Sequence, residues 1–279
     1  MYIRGVREYL ILLGAFILSI ILASFVFAAG SSVPSGPDTL NVAESGRRGN
    51  VSDPLSIQAE AGNVTALTIS TEEVTKAWQA YYGNVTGTIT LDDANNVTFY
   101  DWSLPNPNGE IYASNGSSVT WANVYCMNLS HLRAKNGTQT EGLGGQIVYN
   151  INMSQIEVNF GINNTDLGAS FNDLDGLNET FNDTYVDATG FRVGAITIDR
   201  DDGCSLAHPY ANQAYESDWK ELLLSDNTSL IFTALIRENG DMYKTAGTET
   251  ADFEMLVLED GHTSAATETT PYYFYVELS

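Results

Sequence analysis

The chain has 279 residues, enough for one large domain or two small ones, and 43% of them are apolar, so a sizeable core can form. Thirty-five Asp and Glu against twelve Lys and Arg leave a formal net charge of −23. Such a surface repels phosphate backbones and anionic lipid faces, which argues against a nucleic-acid partner and leaves cationic partners, metal ions or a salty medium compatible.

Residues 9–29, YLILLGAFILSIILASFVFAA, carry no charge and are long enough to cross a bilayer as a helix. Arg4 and Arg7 precede the run, and the next basic residue is Arg47. That asymmetry places the N-terminus in the cytoplasm and everything after residue 30 outside. Three readings of the run stay open. Its length suits a retained anchor, and the small Ala28 suits a secretory signal cut. Arg4-Gly5, directly before a long apolar helix, resembles the leader of archaeal type IV pilins and flagellar subunits, which implies a cut after Gly5 and a helix that builds a filament core. The organisation expected is an anchor or signal at 1–30, a flexible Ser/Gly/Pro-rich linker at 31–53 and a β-rich extracellular domain at 54–279.

From about residue 54 the pattern turns to alternation. In NVTGTITL, Val85, Gly87, Ile89 and Leu91 share a face opposite Thr86, Thr88 and Thr90, the pattern of a half-buried strand. DDANN at 92–96 supplies a turn, and VTFYDWSL returns with Phe99 and Asp101 opposite Tyr100 and Trp102, so 84–103 reads as a hairpin. EIYAS and SVTWANVY read as two more strands. MNLSHLRAKNGT suggests a short helix ending near Gly137, and GGQIVYNINMSQIEVNFGI mixes both periods. FNDLDGLNETFNDTY reads as loops around one helical turn, and GFRVGAITIDRDDG as a strand running into a polar turn. SLIFTALIRENG is a strand closed by Asn-Gly, DFEMLVLEDG a strand closed by Asp-Gly, and PYYFYVELS a last strand. Its Tyr272, Phe274, Val276 and Leu278 alternate with Tyr273, Tyr275 and Glu277. Many short strands with regular turn signals predict an antiparallel β-sandwich, jelly-roll or immunoglobulin-like, preceded by one hydrophobic helix.

The two cysteines, Cys126 and Cys204, lie in no CxxC; in an exported chain they are expected to pair. Twelve asparagines begin an Asn-X-Ser/Thr triplet: Asn50, Asn63, Asn84, Asn96, Asn115, Asn128, Asn136, Asn152, Asn163, Asn178, Asn182 and Asn227. Roughly four would arise by chance from the composition, and the excess predicts N-glycosylation of several sites after export. His131, His208 and His262 each stand apart from any metal-ligand spacing and read as ordinary histidines. Two acidic turns, DLDGLNETFND and DRDDG, concentrate oxygen donors without fitting an EF-hand loop; Asp199, Asp201 and Asp202 are the first candidates for a calcium ligand set, and a solvated acidic turn is the plain alternative. No GxSxG or complete GxGxxG occurs, so no catalytic set and no other cofactor is expected.

WQAYYGNVTGTITL, TFYDW, GEIYAS and PYYFYVEL together resemble a group of uncharacterised archaeal surface proteins across most of 60–279. The resemblance implies an archaeal envelope or secreted protein and carries no activity. The expected function is a glycosylated structural protein of the cell surface, attached through its N-terminal helix and not catalytic. Self-association and surface glycans are its expected partners. The alternative is a surface adhesin or glycan-binding module that uses exposed aromatic side chains.

Overall fold

The computed structural model describes residues 33–46, 56–69, 75, 77–103, 107–127, 156–157, 160, 175–211, 214–215, 219–226, 228–241, 249–259 and 269–279. They form antiparallel β-structure with little helix. The first strands are β1 (Trp78–Gly83), β2 (Thr88–Asp92), β3 (Thr98–Ser103), β4 (Gly109–Ser114) and β5 (Tyr125–Cys126). A single helical turn, α1 (Leu177–Thr180), precedes β6 (Asp183–Thr184), β7 (Phe191–Val193), β8 (Ile196–Ile198) and β9 (Ser205–Ala207). After them come β10 (Tyr210–Ala211), β11 (Ala214–Tyr215), β12 (Glu221–Ser225) and β13 (Leu230–Leu235). The chain closes with β14 (Gly240–Asp241), β15 (Thr250–Ala251), β16 (Phe253–Leu258) and β17 (Tyr273–Leu278).

A seven-stranded sheet in the order β17-β4-β13-β12-β9-β6 is the centre, with β5 also paired to β12. β5 and β9 lie end to end along one edge of β12: Leu224 and Ser225 pair with Cys126 and Tyr125, while Glu221 and Leu222 pair with Ala207 and Leu206. Alternation then sorts the side chains. Ile111, Ala113, Leu223, Leu230, Phe232 and Ala234 point to one face and pack against Met255, Val257 and Leu258 of β16 and Leu177 and Phe181 of the α1 turn. Tyr112, Leu206, Leu222, Leu224 and Ile231 point to the other and pack against Val193 and Ile198 of the β7–β8 hairpin. The central sheet is therefore covered on both sides, by the β1–β16 ribbon and by a hairpin. Burial on both faces explains why Glu221–Ser225 reads ELLLS, a run with no clean alternation.

Several sequence expectations need correction. SVTWANVY is not one strand: it bends through a 3-10 turn at Trp121–Asn123 and only Tyr125–Cys126 join the sheet. GFRVGAITIDRDDG holds two strands, β7 and β8, with Gly194 at φ +58° between them. β2 was expected half-buried and is exposed at every residue. The Asn-Gly turn after β13 stands, with Asn239 at φ 51°. The suggested helix ending near Gly137, and the Asp-Gly closing β16, lie outside the described residues. So does the run at 9–29; among the described residues no helix is long and apolar enough to cross a membrane.

The segment after that run touches the domain. Ser35 exchanges two backbone hydrogen bonds with Val276 on the outer edge of β17, at 3.1 and 2.8 Å. Two residues on, Pro37 has no N–H to offer Phe274, which limits the pairing to one bridge. Further along, Tyr82 Oη donates to Glu44 Oε1 at 2.7 Å.

Gly109 opens β4 at φ +132°, where a Cβ would strike the Glu277 carbonyl of β17. Gly109→Ala is expected to cost about 3 kcal/mol, from backbone strain and overpacking together. Calorimetry checks this; an unchanged melting temperature would mean that the β4–β17 spacing relaxes freely.

Candidate functional site

Cys126 and Cys204 form a disulfide with Cα atoms 5.0 Å apart. Both are buried, and they join the end of β5 to the residue just before β9. Between them the backbone is continuous in hydrogen bonding. Met127 N donates to Leu223 O at 2.9 Å, and Ser205 N donates to Met127 O at 3.0 Å.

Six of the twelve acceptor asparagines are described. Asn63, Asn84, Asn96, Asn115 and Asn182 are exposed and Asn178 is half-buried. The Nδ2 groups of Asn63, Asn178 and Asn182 donate to Glu60 Oε2, Glu179 Oε1 and Glu179 O at 3.0, 2.9 and 3.0 Å. An amide carries two hydrogens, so such a bond and a sugar can coexist on one nitrogen. Asn50, Asn128, Asn136, Asn152, Asn163 and Asn227 lie outside the described residues.

Of the three aspartates proposed as calcium ligands, two are spent on backbone amides and Asp201 lies 3.7 Å from the Arg200 side chain. Asp199 caps the 3-10 turn at Arg200–Asp202, with Oδ1 accepting from Asp201 N at 2.8 Å. Asp202 Oδ2 reaches back to Asp199 N at 2.7 Å. Among the described residues no group of three His, Cys, Asp or Glu is arranged to hold a metal ion. His208 ties strands together: Nδ1 lies 2.8 Å from Trp219 O and Nε2 lies 3.2 Å from Asp183 Oδ2. His131 and His262 lie outside the described residues.

Two constellations were not legible in the sequence. The first is a buried acid pair. Register sets Glu277 of β17 directly opposite Glu110 of β4, on the face that carries Tyr112 and Tyr275. Glu277 accepts from Gly194 N at 3.2 and 2.9 Å, and the Tyr112 hydroxyl lies 3.5 Å from its Oε2. Burial and then the Glu277 charge push the Glu110 carboxyl up to about 8. Burial also raises Glu277, but the Gly194 amide, the Tyr112 hydroxyl and the Arg192 charge oppose it, so Glu277 carries the charge and Glu110 the proton. A protonated carboxyl opposite a carboxylate is the raw material of acid catalysis. Here both side chains are under 9% exposed, and Trp121 packs edge-on between the rings of Tyr112 and Tyr275 at 5.0 and 5.1 Å. The pair reads as structural. A cavity of about 50 Å³ elsewhere, lined by Asn115, Met127, Phe160 and Leu230, is far below the ~300 Å³ of a small-molecule site.

The second is the β2–β3 ribbon. Among the described residues it pairs with no other strand. Register opposes Ile89 to Trp102 and Leu91 to Tyr100, so these four side chains share one face. They are 39% to 54% exposed, with the Tyr100 and Trp102 rings 4.8 Å apart. Thr90 pairs with Asp101 on the opposite face. An uncharged, half-aromatic face left in water is the most unusual surface among the described residues.

No protein-family model matches the chain, and neither a curated protein nor a solved structure matches it.

Proposed function

We propose that the chain is a non-catalytic, N-glycosylated structural protein of the archaeal cell surface, held by its N-terminal apolar run with the β-domain outside. The observation that carries this reading is the Cys126–Cys204 bond that joins β5 to β9 within the central sheet. A sheet built around a disulfide suits an oxidising compartment. Exposed acceptor asparagines on the same domain, the charge asymmetry around 9–29 and the resemblance to archaeal surface proteins agree with it. At the finer level we read the fold as a β-sandwich in which the β1–β16 ribbon acts as the second layer.

Peptide mapping of protein purified from its native host by mass spectrometry tests the reading. Sugars are expected on Asn63, Asn84, Asn96, Asn115 and Asn182, with both cysteines oxidised. The mature N-terminus separates three outcomes: an uncut chain is an anchored coat protein and a start at Val6 a filament subunit, both held by the run, whereas a start at Ala29 is a secreted protein and overturns the attachment. Sugar-free protein with reduced thiols in the cytosol would overturn all three.

A second reading, a surface adhesin or glycan-binding module, is favoured by the exposed Tyr100 and Trp102, since aromatic faces stack on sugar rings. A glycan array without binding would remove it.

A further inference from the structure

We propose that the β2–β3 ribbon is a lipid-interface foot, its Ile89, Leu91, Tyr100 and Trp102 face lying in the headgroup region of a neutral bilayer. The inference rests on the reading that residues 9–29 span that bilayer, and it specifies what the exposed face does. Three observations lead to it. A two-stranded ribbon is marginal in water, so an apolar face on one calls for a cover. The face carries no charge on a chain of net charge −23, and Trp and Tyr are the residues that settle at membrane interfaces. Position decides between covers. Gly87, one residue before β2, sits so close to Leu278 that a Cβ there would collide with its side chain. The Ser35–Val276 bridge is antiparallel, so Val33 lies toward the same Leu278 end of β17. The start of the ribbon and Val33 thus lie near the same end of β17. Only residues 30–32 separate Val33 from that run, a reach of at most ~14 Å. The ribbon itself is about 17 Å long. Its uncharged face is therefore within reach of the headgroups, and the opposite face, which carries Thr90, Asp101 and the exposed Phe99, is turned away from them.

A second copy is the weaker cover. Four half-exposed side chains offer roughly 100 Å² each, so two ribbons would bury about 800 Å², short of the ~1,200 Å² of a stable interface.

The test uses the full chain in phosphatidylcholine vesicles with brominated acyl chains. The apolar run contains no tryptophan, Trp219 is buried and Trp78 and Trp121 are half-buried, so bromine reports chiefly on Trp102. Quenching of the wild type is expected to fall at least about twofold in Trp102→Phe. Both native cysteines are paired, so Leu91→Cys or Thr90→Cys adds a single label site. A label at 91 is expected to be quenched by the lipid and one at 90 spared. Unquenched wild-type emission, or equal quenching at 90 and 91, would overturn the proposal. Covalent Leu91→Cys dimers without lipid quenching would assign the face to a second copy, and an emission change with soluble oligosaccharide but not with lipid would assign it to a glycan; either overturns it. Flotation separates the two levels: a chain that does not float with the vesicles sinks the membrane reading itself, and one that floats with Trp102 unquenched sinks only the foot. The wild-type and Trp102→Phe pair keeps the result readable even if a cysteine variant misfolds.

Discussion

Replacing both cysteines with alanine is expected to cost the folded state about 4.5 kcal/mol, the chain-entropy value for closing a loop of the 78-residue separation between Cys126 and Cys204. Against a total stability of ~5–15 kcal/mol that is a large share. A domain of this size should melt about 10–15 °C lower. Local structure argues that the effect will not fall short. β12 is a central strand whose one edge is shared by two partners that come from distant parts of the chain. β5 and β9 each pair only two residues with it. Neither is long enough to hold the edge by itself. The covalent bond makes them act as one strand, with Met127 bridging Leu223 and Ser205 at the junction. Alanine is the appropriate substitute, because serine would bury an unpaired hydroxyl at a site closed to water. Thermal denaturation with and without reductant gives the same comparison on the wild type. A shift below about 2 °C would show that the two half-strands hold without the bond.

Raising the pH from 5 to 9 is expected to destabilise the domain, the reverse of what paired surface carboxylates do. Glu110 is ordinarily a 4.5 carboxyl and stands near 8 in the fold, through burial first and the opposed Glu277 charge second. The folded state therefore keeps a proton that the unfolded chain releases. Its contribution is fully present below pH 4.5 and is lost as the pH climbs to about 8, a change on the order of 4 kcal/mol. Glu221 works in the same direction: it is fully buried, its Oε2 accepts from Leu256 N at 2.9 Å, its Oε1 has no partner, and burial raises it well above the usual carboxylate range. On the acid side the sign reverses. The Thr189 amide holds Asp187 low, and the amides of Thr120, Ser229 and Thr228 outweigh burial to hold Asp226 low. Their contribution is present above pH 3.8 and fades as the pH falls below it. The melting temperature should peak between about pH 4.5 and 6. Glu110→Gln should leave it unchanged at pH 5 and raise it at pH 9, flattening the alkaline limb. A profile of Glu110→Gln that runs parallel to the wild type would show that the proton sits elsewhere.

How much of this was legible depended on the range of the interaction. The β2–β3 hairpin was read correctly from its period-two runs and the DDANN turn, because both signals lie within twenty residues. Its exposure was misread. Alternation tells which side chains share a face, and Ile89 and Leu91 do share one, but it does not tell whether anything covers that face. The strand at β17 and its two faces were read from PYYFYVELS, while the meeting of Glu277 with Glu110 was not, since it depends on the register of strands more than 160 residues apart. β12 escaped notice because a strand buried on both sides loses its alternation. The DRDDG turn showed its oxygen donors plainly, and only coordinates show two of them spent on backbone amides.

By itself the sequence determined the apolar run, the acidic charge, the acceptor asparagines, the β2–β3 hairpin and the strands β4, β13, β16 and β17. These are properties of neighbouring residues, settled by local sterics, periodicity and composition. Tertiary structure decided that β1 pairs with β16, that β5 and β9 divide one edge of β12 around a disulfide, that Glu277 stands opposite Glu110 across two strands, and that the β2–β3 face stays open near the Leu278 end of β17. Those outcomes require chain segments far apart in sequence to compete for the same strand edges and the same buried volume. Such competition is resolved by the packing of the whole domain and leaves no mark within any single stretch of residues.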